Sequence, residues 1–125
     1  MPEDDAKLAR LKAIAAGFDT HDLDLIMDNF VDDCVFETPR GSEPYGRRVT
    51  GRDAVRAAFA DRFTGIPDVR YSDDTHFVAG DRGVSEWLLS GTLTDGSRIE
   101  VRGCDIWTFE SDKIKVKNSF WKIRT

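Results

Sequence analysis

Apolar residues recur at helical spacing through residues 4–18, where Leu8, Leu11, Ile14, Ala15 and Phe18 form one stripe, and Asp4 and Asp5 suit the positive end of a helix dipole. A second, shorter helix is predicted from Thr20 to Asp22 onward, with Leu23, Ile26, Met27 and Phe30 on its apolar side and Asp22, Asp24 and Asp28 on its polar side. A third follows Thr50-Gly51-Arg52-Asp53, which resembles a capping box with Asp in the glutamate position, and buries Val55, Ala58, Phe59 and Phe63 before Gly65 and Pro67 end it. Between the second and third, Cys34 to Thr38 reads as a short strand, followed by a loop with Pro39, Gly41, Pro44 and Gly46. From Val69 the period changes to two, predicting strands over about 69–79, 83–93, 98–110 and 113–124 joined by short turns. Helices grouped first and strands grouped last predict an α+β fold, three N-terminal helices packed on a strongly curved, mostly antiparallel sheet.

Turn chemistry assigns a register. The Asp95-Gly96 pair favours a two-residue hairpin loop, which sets Thr94 opposite Ser97 and, counted back, Glu86 opposite Asp105. The turn Glu110-Ser111-Asp112-Lys113 sets Phe109 opposite Ile114 and Asp105 opposite Asn118. Glu86, Asp105 and Asn118 are then expected in one row across three strands, on a face that otherwise carries Val84, Leu88, Trp107, Phe109, Ile114, Val116 and Phe120. A polar row on an apolar face marks a candidate site. The opposite face would carry Trp87, Leu89, Cys104, Ile106 and Trp121 among Arg102, Lys115 and Lys117. That is apolar enough to predict a homodimer through the outer sheet face at Trp87, Cys104, Ile106 and Trp121.

At 125 residues the chain is expected to form one domain spanning 1–125. No apolar run approaches the ~20 residues of a membrane span, and the acidic start argues against a secretory signal, so a cytoplasmic location is expected. A net charge of −5 with scattered basic residues disfavours nucleic acid as a partner. Cys34 and Cys104 read as free thiols. No metal site and no cofactor are expected.

The order of elements resembles that of the nuclear transport factor 2-like superfamily, specifically its SnoaL-like and ketosteroid-isomerase-like branch of cone-shaped proteins. Asp22-Leu23-Asp24, Asp32-Asp33, the Pro39-x-Gly41-Ser42-Glu43-Pro44 stretch, Gly51 and Asp105-x-Trp107-x-Phe109 carry the resemblance. It implies a conical pocket and chemistry of the isomerase, cyclase, dehydratase or hydrolase kind. In ketosteroid isomerases an aspartate base works with two oxyanion donors, a tyrosine and an aspartic acid that its apolar site keeps protonated. The matching positions here are Thr38, Ile14 and Asp105, so only the last is kept and steroid isomerisation by that mechanism is not expected. The aspartate that limonene-epoxide-hydrolase-like relatives carry in the last strand corresponds to Asn118.

Two carboxyls on neighbouring strands, with Cβ atoms ~4.5–5.5 Å apart, cannot both ionise cheaply under an apolar roof. The expected chemistry is therefore proton transfer on a small, mostly apolar molecule bearing a carbonyl or hydroxyl. Asp105 would be held protonated as donor, Glu86 would act as base and Asn118 would orient the ligand. Trp107, Phe120, Tyr71, Phe59, Thr38, His76 and Lys122 are the candidate binding residues. His76 and Thr75 compete for the place beside Glu86. A two-residue turn at Gly80-Asp81 points Tyr71, Asp73, Thr75 and Phe77 inward and leaves His76 outside. The alternative is a noncatalytic ligand-binding or dimeric interaction protein with a vestigial pocket.

Overall fold

The computed structural model describes residues 2–125. Its elements run α1 (Pro2–Thr20), α2 (Leu23–Met27), β1 (Phe30–Glu37), β2 (Arg48–Thr50), α3 (Arg52–Gly65), β3 (Arg70–Ala79), β4 (Arg82–Thr92), β5 (Arg98–Glu110) and β6 (Lys113–Trp121). One six-stranded sheet has the order β2-β1-β6-β5-β4-β3, antiparallel throughout except where β1 lies parallel to β6. The α+β architecture expected from the order of periodicities is present. Among the described residues, no helix is long and apolar enough to cross a membrane.

The helices cover one face of the sheet. Leu11, Ile14 and Phe18 of α1, Ile26 and Met27 of α2, and Val55 and Phe59 of α3 pack on Phe30, Cys34, Trp107, Phe109 and Ile114. A second cluster of Ile66, Val69, Trp87, Leu89 and Val101 continues the core toward the far end of β4 and β5, with Phe63 and Tyr71 touching both. The capping box anticipated at Thr50 does not form. Thr50 is drawn into β2 opposite Val35, and Gly51 caps α3 at φ +94° without a side-chain bond.

Two turns and two bulges decide which side chains face the helices. The β4–β5 loop has three residues rather than two: Gly96 N–H donates to the Leu93 carbonyl at 2.9 Å, Leu93 N–H donates to the Ser97 carbonyl at 2.8 Å, and Gly96 adopts φ +87°. This is a type I turn closed by a left-handed glycine, and it moves the β4 pairing by one residue. Asp105 therefore faces Ser85, while Glu86 pairs with Cys104 on the outer face. Between β5 and β6, Phe109 does face Ile114, but a bulge leaves Lys115 unmatched beyond it. Asp105 then meets Ser119, and Asn118 meets Ile106 on the outer face. The β3–β4 turn has two residues as expected, with Ala79 opposite Arg82, yet a bulge at Asp73 (φ +50°) changes parity within β3. Tyr71 faces inward on one side of that bulge. On the other side His76 faces inward and Phe77 outward, the reverse of the sequence expectation.

The face assignments change accordingly. Trp87, Leu89, Lys117 and Trp121 belong to the helix-covered side, with Trp87 at 5% exposure and the Arg62 guanidinium lying 4.5 Å over the Trp121 ring. Val84, Leu88, Val116 and Phe120 belong to the outer side, with Cys104 and Ile106. Gly103 opposite Trp87 makes this inward placement feasible, because a Cβ there would lie 2.4 Å from the indole and 2.7 Å from the Phe120 carbonyl. Gly103→Ala is expected to cost about 1–3 kcal/mol through overpacking and to red-shift the Trp emission as the indole is displaced. Unfolding curves with fluorescence detection test both.

Candidate functional site

A polar row does cross the inner face. It consists of His76, Ser85, Asp105 and Ser119, consecutive cross-strand partners on β3, β4, β5 and β6. Asp105 sits where the sequence placed it, and its neighbours are each one residue away from those expected. Glu86 and Asn118 are on the other side of the sheet, where Glu86 accepts a hydrogen bond from Thr75 at 3.1 Å.

Asp105 is the centre of a closed network. Its Oδ1 accepts from Lys117 Nζ at 2.8 Å and from Ser119 Oγ at 2.5 Å, and its Oδ2 accepts from Trp87 Nε1 at 2.9 Å. Lys117 Nζ also donates to Ser119 Oγ at 2.6 Å, and the side chains of Lys117 and Asp105 are only 8% and 7% exposed. The Lys117 ammonium, rather than a second carboxylate, is thus the group that faces Asp105. The expected carboxyl–carboxylate pair is replaced by a buried ion pair. Burial pushes the Lys117 amine below its ordinary range, while the Asp105 charge opposes that shift. Phe36, Phe18, Phe59 and Trp107 surround the nitrogen with ring centroids 4.8–5.7 Å away.

The other half of the row is a hydrogen-bonded chain. His76 Nδ1 lies 2.7 Å from Ser85 Oγ, and His76 Nε2 lies 2.6 Å from Asp74 Oδ2. Trp107 Nε1 donates to the same Ser85 oxygen at 2.9 Å. With Nε2–H donated to the Asp74 carboxylate, Nδ1 is left to accept the Ser85 hydroxyl proton. The imidazole is 4% exposed, whereas the Asp74 side chain is 39% exposed, so the chain runs from the surface into the core. The β3 bulge makes this possible by turning Tyr71, Asp74 and His76 to the same side.

These groups meet at a cavity lined by Leu11, Ile14 and Phe18 of α1 and by Tyr71, Asp74, Ser85, Asp105 and Lys117 of the sheet. Its free volume is about 20 Å³, enough for one water but not for an organic ligand. Ala15 and Asp74 are its more exposed lining residues, so it opens between α1 and β3. Burial pushes the Tyr71 phenol above its ordinary range, further disfavouring the ionised form of a hydroxyl that is already a hydrogen-bond donor at neutral pH.

Trp107, Phe59 and Tyr71 of the anticipated binding residues are on this side, and His76 joins them. Phe120, at 47% exposure, lies on the outer face. Thr38 instead closes the loop after β1, donating to the Arg40 carbonyl and accepting from Arg47 N–H, and Lys122 is exposed beyond β6. Lys117, Ser85, Ser119 and Asp74 were not anticipated. Lys117 was legible only as part of a Lys113, Lys115, Lys117 alternation that a regular strand would turn outward. Among the described residues, no cluster of His, Cys, Asp or Glu has the makings of a metal site.

No curated protein matches this sequence. The fold is shared with Bal32a, from a soil-derived mobile gene cassette (16% identity, 95% of this chain and 91% of that one, TM-score 0.84). It is also shared with a provisionally assigned polyketide cyclase of Xanthomonas campestris (18%, 96% and 93%, TM-score 0.83). A third example is TerC co-crystallised with polyporic acid (19%, 94% and 92%, TM-score 0.81). At these identities the likeness is one of fold. Family membership comes from the sequence itself: the SnoaL-like domain model matches residues 11–116, from the helix that roofs the cavity to the strand that delivers Lys117, and the chain belongs to the SnoaL-like family.

Proposed function

We propose that the protein binds a small, mostly apolar carbonyl-bearing molecule between α1 and β3 and catalyses proton transfer on it, in the manner of an isomerase or cyclase. The observation that carries this reading is the Asp74–His76–Ser85 chain, which links a cavity-facing hydroxyl to a surface carboxylate through a buried imidazole. As Ser85 Oγ takes a proton from the ligand, it can pass its own to His76 Nδ1, while Asp74 stabilises the imidazolium that results. Lys117 and the neutral Tyr71 phenol supply positive charge and a donor for the oxygen of an enolate. Glu86, exposed on the outer face, has no part in this scheme. Solved relatives bound to polyporic acid and trimethylamine support a small organic ligand. Because the cavity holds only one water, α1 must shift from β3 when such a ligand enters.

Cyclic enones and cyclic ketones incubated with the protein in D₂O should lose their α-proton NMR signals faster than in buffer. Equal rates across the panel, with no ligand raising the melting temperature, would remove the catalytic reading.

The outer face supports assembly. Phe77 and Phe120 are 56% and 47% exposed, and Val84, Leu88, Cys104, Ile106 and Val116 lie around them on the same face. An apolar sheet face of this kind fits a second copy of the chain, so a homodimer remains part of the proposal with Phe77 and Phe120 in place of Trp87 and Trp121. Ile106→Glu is expected to halve the mass seen by sedimentation without unfolding the chain. A native protein that already sediments as a monomer would refute it.

A further inference from the structure

We propose that Lys117 is an amine nucleophile that captures an aldehyde or ketone as an imine inside the cavity. This deepens the preceding reading, since it rests on a carbonyl compound entering the same space. Lys117 Nζ makes two hydrogen bonds, to Asp105 Oδ1 and Ser119 Oγ, at 2.8 and 2.6 Å. An ammonium has three N–H bonds and no lone pair. Two of those of Lys117 are engaged, so loss of the third proton leaves a lone pair at the one position of the nitrogen that has no partner. The side chain contributes to the cavity wall, the space that a bound carbonyl carbon would share with it.

The surroundings serve the same step. Four aromatic rings surround the nitrogen and limit the water near it, which would otherwise return an imine to its components. Burial also favours the unprotonated amine, the condition for a lysine to act as a nucleophile near neutral pH. The remaining lysines, Lys7, Lys12, Lys113, Lys115 and Lys122, are outside this cavity. Lys115 is tied to Asp33 and Lys7 to the Gly80 carbonyl.

The reaction needs no oxidant or reductant. The Nζ lone pair forms the C–N bond as the carbonyl π pair moves to oxygen, which takes up a proton to give a carbinolamine. The nitrogen then loses a proton, the hydroxyl leaves with a second proton as water to give an iminium, and loss of the remaining N–H proton gives the imine. The net change is amine plus carbonyl to imine plus water. Ser85 is next to Asp105 in the polar row, and its chain to His76 and Asp74 offers a path for the protons. In its protonated, iminium form the adduct is a stronger electron sink than the parent ketone, so the α-proton becomes easier for the same chain to remove.

The test uses cyclohexanone as the probe and sodium cyanoborohydride to reduce any imine to a stable secondary amine, with peptide mass spectrometry to locate it. The expected result at pH 7 is an adduct on Lys117 at several-fold the level on any other lysine, because burial favours its free amine. Yield at Lys117 should rise with pH before yield at the exposed lysines does. Melting temperature with cyclohexanone alone is measured in parallel. Stabilisation by cyclohexanone without a Lys117 adduct overturns the imine and leaves the binding reading intact. Neither stabilisation nor adduct overturns both. The mapping is done on the native protein, so it does not depend on a lysine variant folding, and Lys117→Met serves only to confirm the assignment.

Discussion

Replacing Asp105 by alanine is expected to destabilise the protein by about 3–5 kcal/mol and to lower its melting temperature by roughly 10–20 °C for a chain of this size. The carboxylate holds Lys117, Ser119 and Trp87 together, and its removal leaves a buried ammonium with one neutral partner and an indole N–H with none. Lys117→Met should cost less, because Asp105 keeps two donors when the amine is gone. Changing both, Asp105→Leu with Lys117→Met, should recover most of the loss and approach the native stability. Two charges that leave the interior together no longer carry a desolvation cost, which often makes apolar replacement of a buried pair neutral or favourable. Chemical unfolding of the four proteins measures the coupling directly. If the single losses simply add in the double variant, the two groups do not depend on each other and the ion pair is not the organising feature of the site. Recovery in the double variant would mean that folding alone does not require these charges, in keeping with a chemical use for them.

The parts of the structure legible in the sequence are those that depend on many residues at once. Leu11, Ile14 and Phe18 define the buried side of α1 whether or not any one of them is misjudged, and the change from helical to alternating period near Val69 separates the helices from the meander. Register depends on far fewer. One additional loop residue before Gly96 moved Ser85 to the place assigned to Glu86, one bulge at Lys115 moved Ser119 to that of Asn118, and one left-handed residue at Asp73 brought His76 inside. Asp105 was found because it is two residues before Trp107, on a stretch without a bulge, where alternation holds. The kind of site, a polar row on the apolar face, survived these slips. The identity of its members did not, and with them the charge balance changed from two carboxyls to a carboxylate and an ammonium.

That change redirects the chemistry from a shared proton to a separate base and electrophile, and it sets the second large effect. His76→Asn is expected to slow α-proton exchange on an accepted ketone by about two to four orders of magnitude, the usual contribution of a positioned general base. The asparagine can still hydrogen-bond Ser85 and Asp74 but cannot accept and release a proton at neutral pH. Ser85→Ala should give a loss of similar size by a different route, because it disconnects the imidazole from the cavity and leaves Trp107 Nε1 without its acceptor. Asp74→Asn keeps the geometry but withdraws the charge that stabilises the imidazolium, so a smaller loss is expected. Binding of a non-exchanging analogue should change little in all three variants. NMR exchange rates in D₂O, measured with melting temperatures to confirm folding, distinguish this from a structural role. If the His76 and Ser85 variants bind and exchange as the native protein does, the relay is a packing feature of the β3 bulge, and proton transfer must be sought at Lys117 alone.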